Sequence, residues 1–178
     1  MLQAQDYSSS GLYTYSTAGA ETLVRRARAI GARPILFAEW PRAGIDESAR
    51  IVATYAVIAG HEPACLPPVP EAFEEARRLT PGLALHEPDG NHSAPAGAFL
   101  AALILYAAVA GTDPGQAPQL DQPGVPADVQ STFADGRRAG RAAGAGHPAA
   151  APDCRPSRAA RSWSRHSCAD CPVEIIGA

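Results

Sequence analysis

A run of four apolar residues, ILFA at residues 35–38, stands between two stretches of helical periodicity and constrains the fold more than any other feature. Before it, apolar residues recur at helical spacing from Ala20 to Ile30, and after it they recur from Ile51 to Ala59. A short continuous apolar run that follows a helix and a Gly-to-Pro break is typical of a buried parallel strand. Helical patterns that alternate with such runs predict an α/β fold with a parallel sheet.

The same alternation continues along the chain to about residue 110. Residues 64–66 are a second candidate strand, and residues 71–79 are a third helical stretch. Residues 96–110 predict a helix that is apolar on nearly all sides and therefore packed against a sheet. Active residues of parallel sheets lie on loops beyond the C-terminal ends of the strands. The loop of residues 86–95 is expected to occupy such a position.

The composition changes at Thr112, beyond which Pro, Gly, Ala and Arg dominate and apolar periodicity is lost. Such a segment buries too little apolar surface to offset the entropy of ordering it. We therefore predict a partial domain over residues 1–114 and a low-complexity, disordered tail over residues 115–178. The composition of this tail would also suit an out-of-frame translation of GC-rich DNA. Three of the four cysteines lie in it, and the set predicts no disulfide framework.

The net charge of −3 gives no reason to expect nucleic acid or an anionic membrane as a partner. The first six residues, MLQAQD, have neither the charged nor the apolar region of a signal peptide. The longest apolar run, residues 94–111, is rich in small residues and too short for a comfortable membrane span. These features leave the compartment undecided.

Asp89 and His92 are the main candidates for chemistry, because they are three residues apart with the flexible Gly90 between them. A tight turn at this spacing brings the carboxylate to one imidazole nitrogen. The carboxylate then fixes the tautomer and stabilises the imidazolium, which leaves the other nitrogen free to take a proton from a serine hydroxyl. The alternative is a solvated turn, which Asp, Gly and Asn favour on their own.

The Asp89-to-His92 stretch, followed by GAFLAA at residues 97–102, resembles the last conserved block of the SGNH hydrolases, the GDSL-like lipases and esterases. In that family an Asp-x-x-His pair, commonly followed by Pro, precedes a terminal helix that begins with a Gly-x-x-Leu-Ala pattern. Ser93 replaces the Pro here. Upstream, LQAQ at residues 2–5, ILFAEW at residues 35–40 and PVPEAF at residues 68–73 are similar to segments of bacterial members. The resemblance covers residues 2–114.

This resemblance implies a three-layer, flavodoxin-like SGNH-hydrolase fold, an α/β fold with a parallel sheet that is truncated at its N-terminal side. It also implies a serine ester hydrolase without a cofactor, acting on a small-molecule or carbohydrate ester, for example in carbohydrate deacetylation. His92 would be the general base and later acid, Asp89 its orienting partner, and Gln3 or Gln5 an oxyanion-hole donor. Members of the family are often exported.

The family's Gly-Asp-Ser or Gly-Asn-Ser turn, which carries the nucleophile, does not occur in these 178 residues. The sequence therefore predicts an enzyme fragment that has the Asp-x-x-His half of the triad and lacks the serine segment. The alternative is a non-catalytic fragment or a mispredicted gene product with no activity of its own.

Two groups of potential metal ligands complete the set of candidates. His86, Asp89 and His92 are of types that bind zinc, but their spacing fits no zinc motif. In the tail, a single Cys-x-x-Cys lacks a surrounding apolar core, which favours free thiols; its potential ligands are Cys154, His166, Cys168 and Cys171. We therefore predict no metal site. Glu39 and Trp40 end a predicted strand near the presumed cleft and are candidates to shape a substrate pocket.

Overall fold

The computed structural model describes residues 1–5, 7–8, 10–111, 119–121, 124–131, 133 and 154. Four helices longer than ten residues occur in this part of the chain, in the order α1 (Ala18–Ala29), α2 (Ser48–His61), α3 (Val69–Leu79) and α4 (Pro95–Ala110). They lie where the apolar periodicity predicts helices. Helix α4 ends at Gly111, whose φ of 66° is the left-handed conformation that glycine adopts without strain.

The predicted parallel sheet is wrong, because the described residues form only isolated bridges and the fold is mainly helical. Two of these bridges are parallel and join Leu2 to Leu36 and Ile35 to Cys65. The three-layer, flavodoxin-like α/β fold, with its N-terminally truncated sheet, is therefore corrected to four helices packed around short extended segments. Prolines explain why pairing stops, since a proline has no N–H to donate to a ladder. Pro34 precedes the segment of residues 35–38. The segment around Cys65 is flanked by Pro63, Pro67 and Pro68.

The extended segment after α1 lies between two apolar clusters. Leu36 and Ala38 belong to a cluster with residues of α1 and α2, including Val24 and Tyr55. Phe37 and Trp40 pack against a second cluster, formed mainly by α3 and α4. Side chains of an extended segment alternate in direction, so Leu36 and Ala38 face the first cluster and Phe37 faces the second. The segment therefore leaves the core at a fixed position, at Glu39 and Trp40.

Cys65 and Cys154 form a disulfide, with an S–S distance of 2.15 Å, which corrects the expectation that the cysteines do not pair. Arg33 adds a second contact to the same place, because its guanidinium donates to the carbonyl oxygen of Cys154 at 3.0 Å. The same guanidinium donates to the carbonyl oxygens of Ala108 and Val109 in the last turn of α4. Cys154 is thus fastened to the helical body by one covalent bond and one hydrogen bond.

Most of the predicted tail, including His166, Cys168 and Cys171, lies outside the described residues. Of the tail residues that are described, Val125 and Phe133 are buried, and Phe133 belongs to the cluster between α3 and α4. The domain boundary near residue 114 stays a prediction. Within the described ranges, no helix combines the length and the apolar character needed to cross a membrane.

Candidate functional site

Asp89 and His92 lie in direct contact, with 2.5 Å between Oδ2 of Asp89 and Nδ1 of His92. The second carboxylate oxygen, Oδ1, accepts the backbone N–H groups of Asn91 at 2.9 Å and of His92 at 3.0 Å. Gly90 makes the turn possible with a φ of 71°. The two backbone hydrogen bonds and the Gly90 conformation thus bring the carboxylate to the imidazole, as the three-residue spacing predicts.

The turn stands at the tip of a hairpin-like loop that joins α3 to α4. His86 and Ser93 form an antiparallel bridge, and Glu87 N–H donates to the carbonyl oxygen of His92 at 2.8 Å. Ala94 N–H donates to the carbonyl oxygen of Leu85 at 3.0 Å, immediately before Pro95 begins α4. These backbone bonds hold the loop independently of any contact made by the side chains of Asp89 and His92.

Three hydrogen bonds fasten this loop to residues 40–43. Trp40 Nε1 donates to the carbonyl oxygen of Asn91 at 3.0 Å, and Ala43 N–H donates to that of Gly90 at 2.8 Å. His86 Nε2 lies 2.8 Å from the carbonyl oxygen of Pro41, to which it donates. The residues on either side of Asp89 and His92 are therefore fixed to the segment that carries Glu39 and Trp40.

The His86 contact separates this histidine from the Asp89–His92 pair, so the structure does not bring the three potential zinc ligands together. Among the described residues, no cluster of three or more His, Cys, Asp or Glu side chains is arranged to hold a metal ion.

Both members of the pair are open to solvent, with side-chain exposures of 76% for His92 and 50% for Asp89. The hydrogen bond from His92, aided by the N–H groups of Asn91 and His92, lowers the pKa of Asp89 to about 2. The Asp89 carboxylate in turn raises the pKa of His92 above its usual value of 6.5. Within the described residues nothing forms a hydrogen bond with Nε2 of His92. The pair therefore presents a basic nitrogen whose opposite side is held by a carboxylate.

His92 opens onto a cleft of about 270 Å³, which is also lined by Gln5, Glu39, Trp40 and Asn91. Asp89 does not line it and lies behind the imidazole. Gln5, one of the two predicted oxyanion donors, shares the cleft with His92. The other, Gln3, donates from Nε2 to Oε2 of Glu39 at 2.7 Å, so its amide is engaged with a carboxyl group.

A buried carboxylate that the sequence patterns do not signal forms one wall of the cleft. Glu47 accepts from the backbone N–H and the guanidinium of Arg42, with 2.7 Å between Oε2 and Nη2, and from the hydroxyl of Tyr7 at 3.1 Å. The Arg42 hydrogen bond lowers the pKa of Glu47. Burial, followed by the Glu47 charge, raises the pKa of Tyr7 to about 12. Glu47 is thus a structural anion that holds the wall in place.

A hydrogen-bonded tyrosine fixes the N-terminal segment against this wall. The hydroxyl of Tyr55 donates to the carbonyl oxygen of Ala4 at 2.7 Å and accepts its N–H at 2.9 Å. Tyr55 is 2% exposed, so these bonds lie in the core. They set the position of Gln3 and Gln5 on either side of Ala4.

No known protein family, curated protein or solved structure matches this chain.

Proposed function

We propose that the protein hydrolyses esters and that His92, oriented by Asp89, is its general base. The observation that carries the proposal is the Asp89–His92 hydrogen bond at the edge of a cleft, with Nε2 of His92 left without a partner in the described residues. The sequence resemblance to SGNH hydrolases around residues 89–102 supports the same chemistry. The proposed reaction uses no organic cofactor.

In this reaction Nε2 of His92 removes the proton from an attacking hydroxyl, and Asp89 stabilises the imidazolium that forms. The resemblance implies a serine hydroxyl as the attacking group, which would form an acyl-enzyme. None of the described serine hydroxyls is bonded to Nε2, whereas solvent water reaches the exposed ring. With water as the nucleophile, we expect the 178-residue chain to be a slow hydrolase.

The cleft favours small acyl groups, because its volume of about 270 Å³ leaves little room for a long chain. Its mixed polar and apolar lining, which includes Gln5 and Asn91, fits a small-molecule or carbohydrate ester such as an acetylated sugar. The Gln5 amide is the better placed of the two glutamines to donate to the oxyanion, because Gln3 is engaged with Glu39.

The second candidate is a non-catalytic protein in which Asp89 only shapes a turn. Its support is that Oδ1 of Asp89 accepts two backbone N–H groups, an arrangement that stabilises a turn whatever His92 does.

Hydrolysis of 4-nitrophenyl acetate separates the two candidates, with variants His92→Ala and Asp89→Asn. His61→Ala is a matched control, because His61 is also exposed and also contacts a carboxylate, Glu21 at 3.0 Å, but does not line the cleft. We expect slow turnover by the wild type, a fall to the uncatalysed rate in His92→Ala and Asp89→Asn, and no change in His61→Ala. Equal rates in the wild type and His92→Ala would leave the non-catalytic candidate.

A further inference from the structure

Glu39 enters the same cleft as His92, from a segment that is fastened to the His92 loop. The Trp40 indole N–H, one residue after Glu39, donates to the carbonyl oxygen of Asn91, one residue before His92. This bond fixes the two backbone segments relative to each other. Glu39 and His92 therefore line one cavity, whose volume of about 270 Å³ admits a small ligand.

The Glu39 carboxyl is held at one oxygen and open at the other. Oε2 accepts the amide of Gln3 at 2.7 Å, whereas Oε1 has no hydrogen-bond partner in the described residues. The bridge between Leu2 and Leu36 sets this pairing, because the N–H of Phe37 donates to the carbonyl oxygen of Leu2 at 2.7 Å. Gln3 is thereby placed beside Glu39.

The other carboxyl group of the cleft, Glu47, is saturated by Arg42 and Tyr7. Among the described lining residues, Glu39 is therefore the carboxyl group that retains an oxygen for a ligand. Its side chain stays accessible from the cleft although protein atoms crowd around it.

On balance, the surroundings of Glu39 raise the pKa of its carboxyl group. Crowding by the surrounding protein raises the pKa of Glu39, and the negative charge of Glu47 adds to this effect. The hydrogen bond from Gln3 and the positive charge of Arg42 act in the opposite direction. Tyr7, Tyr55 and His92 are the other titratable groups that line the cleft.

We infer that Glu39 is a further catalytic residue of the hydrolysis proposed above, the general acid that protonates the leaving alcohol, and that Gln3 is its positioning residue. This inference rests on the proposed function. Water attacks the ester carbon while its proton moves to Nε2 of His92. The bond from that carbon to the leaving oxygen then breaks, and the leaving oxygen takes the proton of the Glu39 carboxyl.

The products are a carboxylic acid and an alcohol. The imidazolium of His92 then gives a proton to solvent, and the Glu39 carboxylate takes one from solvent, which restores both groups.

A leaving-group comparison tests this role. Acid assistance matters for an alkyl ester, whose alkoxide is a poor leaving group, and matters little for a 4-nitrophenyl ester. We therefore expect Glu39→Gln to slow hydrolysis of an alkyl acetate by about 100-fold. The rate on 4-nitrophenyl acetate should fall much less, because 4-nitrophenolate leaves without needing a proton. The matched control is Glu75→Gln, which removes the charge of a glutamate paired with Arg78 on α3, outside the cleft.

The positioning role of Gln3 has a separate readout in the pH profile. The hydrogen bond from Gln3 lowers the pKa of Glu39, so Gln3→Ala should raise that pKa. In a plot of the alkyl-ester hydrolysis rate against pH, the fall in rate that accompanies deprotonation of Glu39 should then move to higher pH. A merely structural role would change the rate without this displacement.

The outcomes distinguish the two proposals. If His92→Ala abolishes turnover of both esters and Glu39→Gln lowers the rate on the alkyl ester far more than the rate on the 4-nitrophenyl ester, both proposals stand. If His92→Ala abolishes both but Glu39→Gln slows neither ester, or slows both equally, the acid role of Glu39 is wrong and the proposed function survives. If His92→Ala leaves both rates unchanged, or the wild type turns over neither ester, the proposed function and this inference fail together.

Discussion

Replacing Gly97 by alanine should destabilise the fold, although the same change stabilises most helices. Gly97 lies in the first turn of α4, where a Cβ atom would stand 2.1 Å from the carbonyl oxygen of Leu85. It would also stand 3.2 Å from the ring of Phe73. That carbonyl oxygen already accepts the N–H of Ala94, so it cannot move aside without weakening the bond that closes the Asp89–His92 loop.

The size of the effect follows from two opposing terms. Alanine is about 1 kcal/mol better than glycine inside a helix. Overpacking of a filled core costs about 1–3 kcal/mol, and a contact this short with backbone belongs at the upper end of that range. We therefore expect a net loss of about 2 kcal/mol in the free energy of unfolding. For a domain of about 100 residues this lowers the Tm by roughly 10 °C.

Urea denaturation followed by circular dichroism measures this difference, with an unchanged slope as the check that both variants unfold alike. Gly60→Ala in the last turn of α2 is the matched control, because no heavy atom lies within 4 Å of its Cβ position. It should be neutral or stabilise by up to about 1 kcal/mol. A Gly97→Ala variant at least as stable as the wild type would refute the close approach of α4 to Leu85.

Three further predictions concern the core, the disulfide and the charged pair. Tyr55→Phe leaves the N–H and carbonyl groups of Ala4 without their partner in the core, so it should cost about 1–3 kcal/mol in urea denaturation; no loss would contradict this anchor. Cys154→Ser removes a crosslink over a sequence separation of 89 residues and should lower the free energy of unfolding by about 2–4 kcal/mol. A thiol-reducing agent should lower the Tm of the wild type but not of this variant. The stability that Asp89 contributes is present above its ordinary pKa of 3.8 and is lost as the pH falls towards 2. The stability that His92 contributes is present below its ordinary pKa of 6.5 and is lost as the pH rises through its raised pKa. The stability difference between the wild type and Asp89→Asn should therefore be largest near pH 5 and shrink on both sides, and a difference independent of pH would show that the pair is not ionised together.

The helices and the Asp89–His92 contact could be predicted from the sequence because the information for both is local. Ile51, Tyr55 and Ile58 recur at helical spacing and are buried on one face of α2. The carboxylate and the imidazole are brought together by a turn of only four residues, 89–92. No distant contact is needed for either prediction.

The predicted sheet is wrong because an apolar run indicates that a segment is buried, not that it forms a ladder with another strand. Leu36 is fully buried, as its neighbours in the sequence indicate. Its segment, however, lies between two helical clusters and forms one isolated bridge on each side, from Leu36 to Leu2 and from Ile35 to Cys65. Pro34 and the prolines around Cys65 limit the ladder, because a proline has no N–H to donate to it.

Other features depend on long-range contacts that no spacing encodes. Trp40 meets the carbonyl of Asn91 across 51 positions, Gln3 meets Glu39 across 36, and Cys65 meets Cys154 across 89. The pairing of four cysteines cannot be deduced from their spacing alone. The sequence already makes Glu39 and Trp40 candidates to shape a pocket, but the pairing of Gln3 with Glu39 and the full lining of the cleft are visible only in the folded chain.

The most direct test of the central claim, that Asp89 holds His92 as a base with Nε2 free, is the titration of His92 by ¹H–¹⁵N NMR. We expect a His92 pKa above 6.5 that falls in Asp89→Asn, because the carboxylate stabilises the imidazolium. Above that pKa the neutral ring should carry its proton on Nδ1, facing Asp89, and leave Nε2 unprotonated. A His92 pKa at or below 6.5, unchanged by Asp89→Asn, or a neutral ring protonated on Nε2, would contradict the claim.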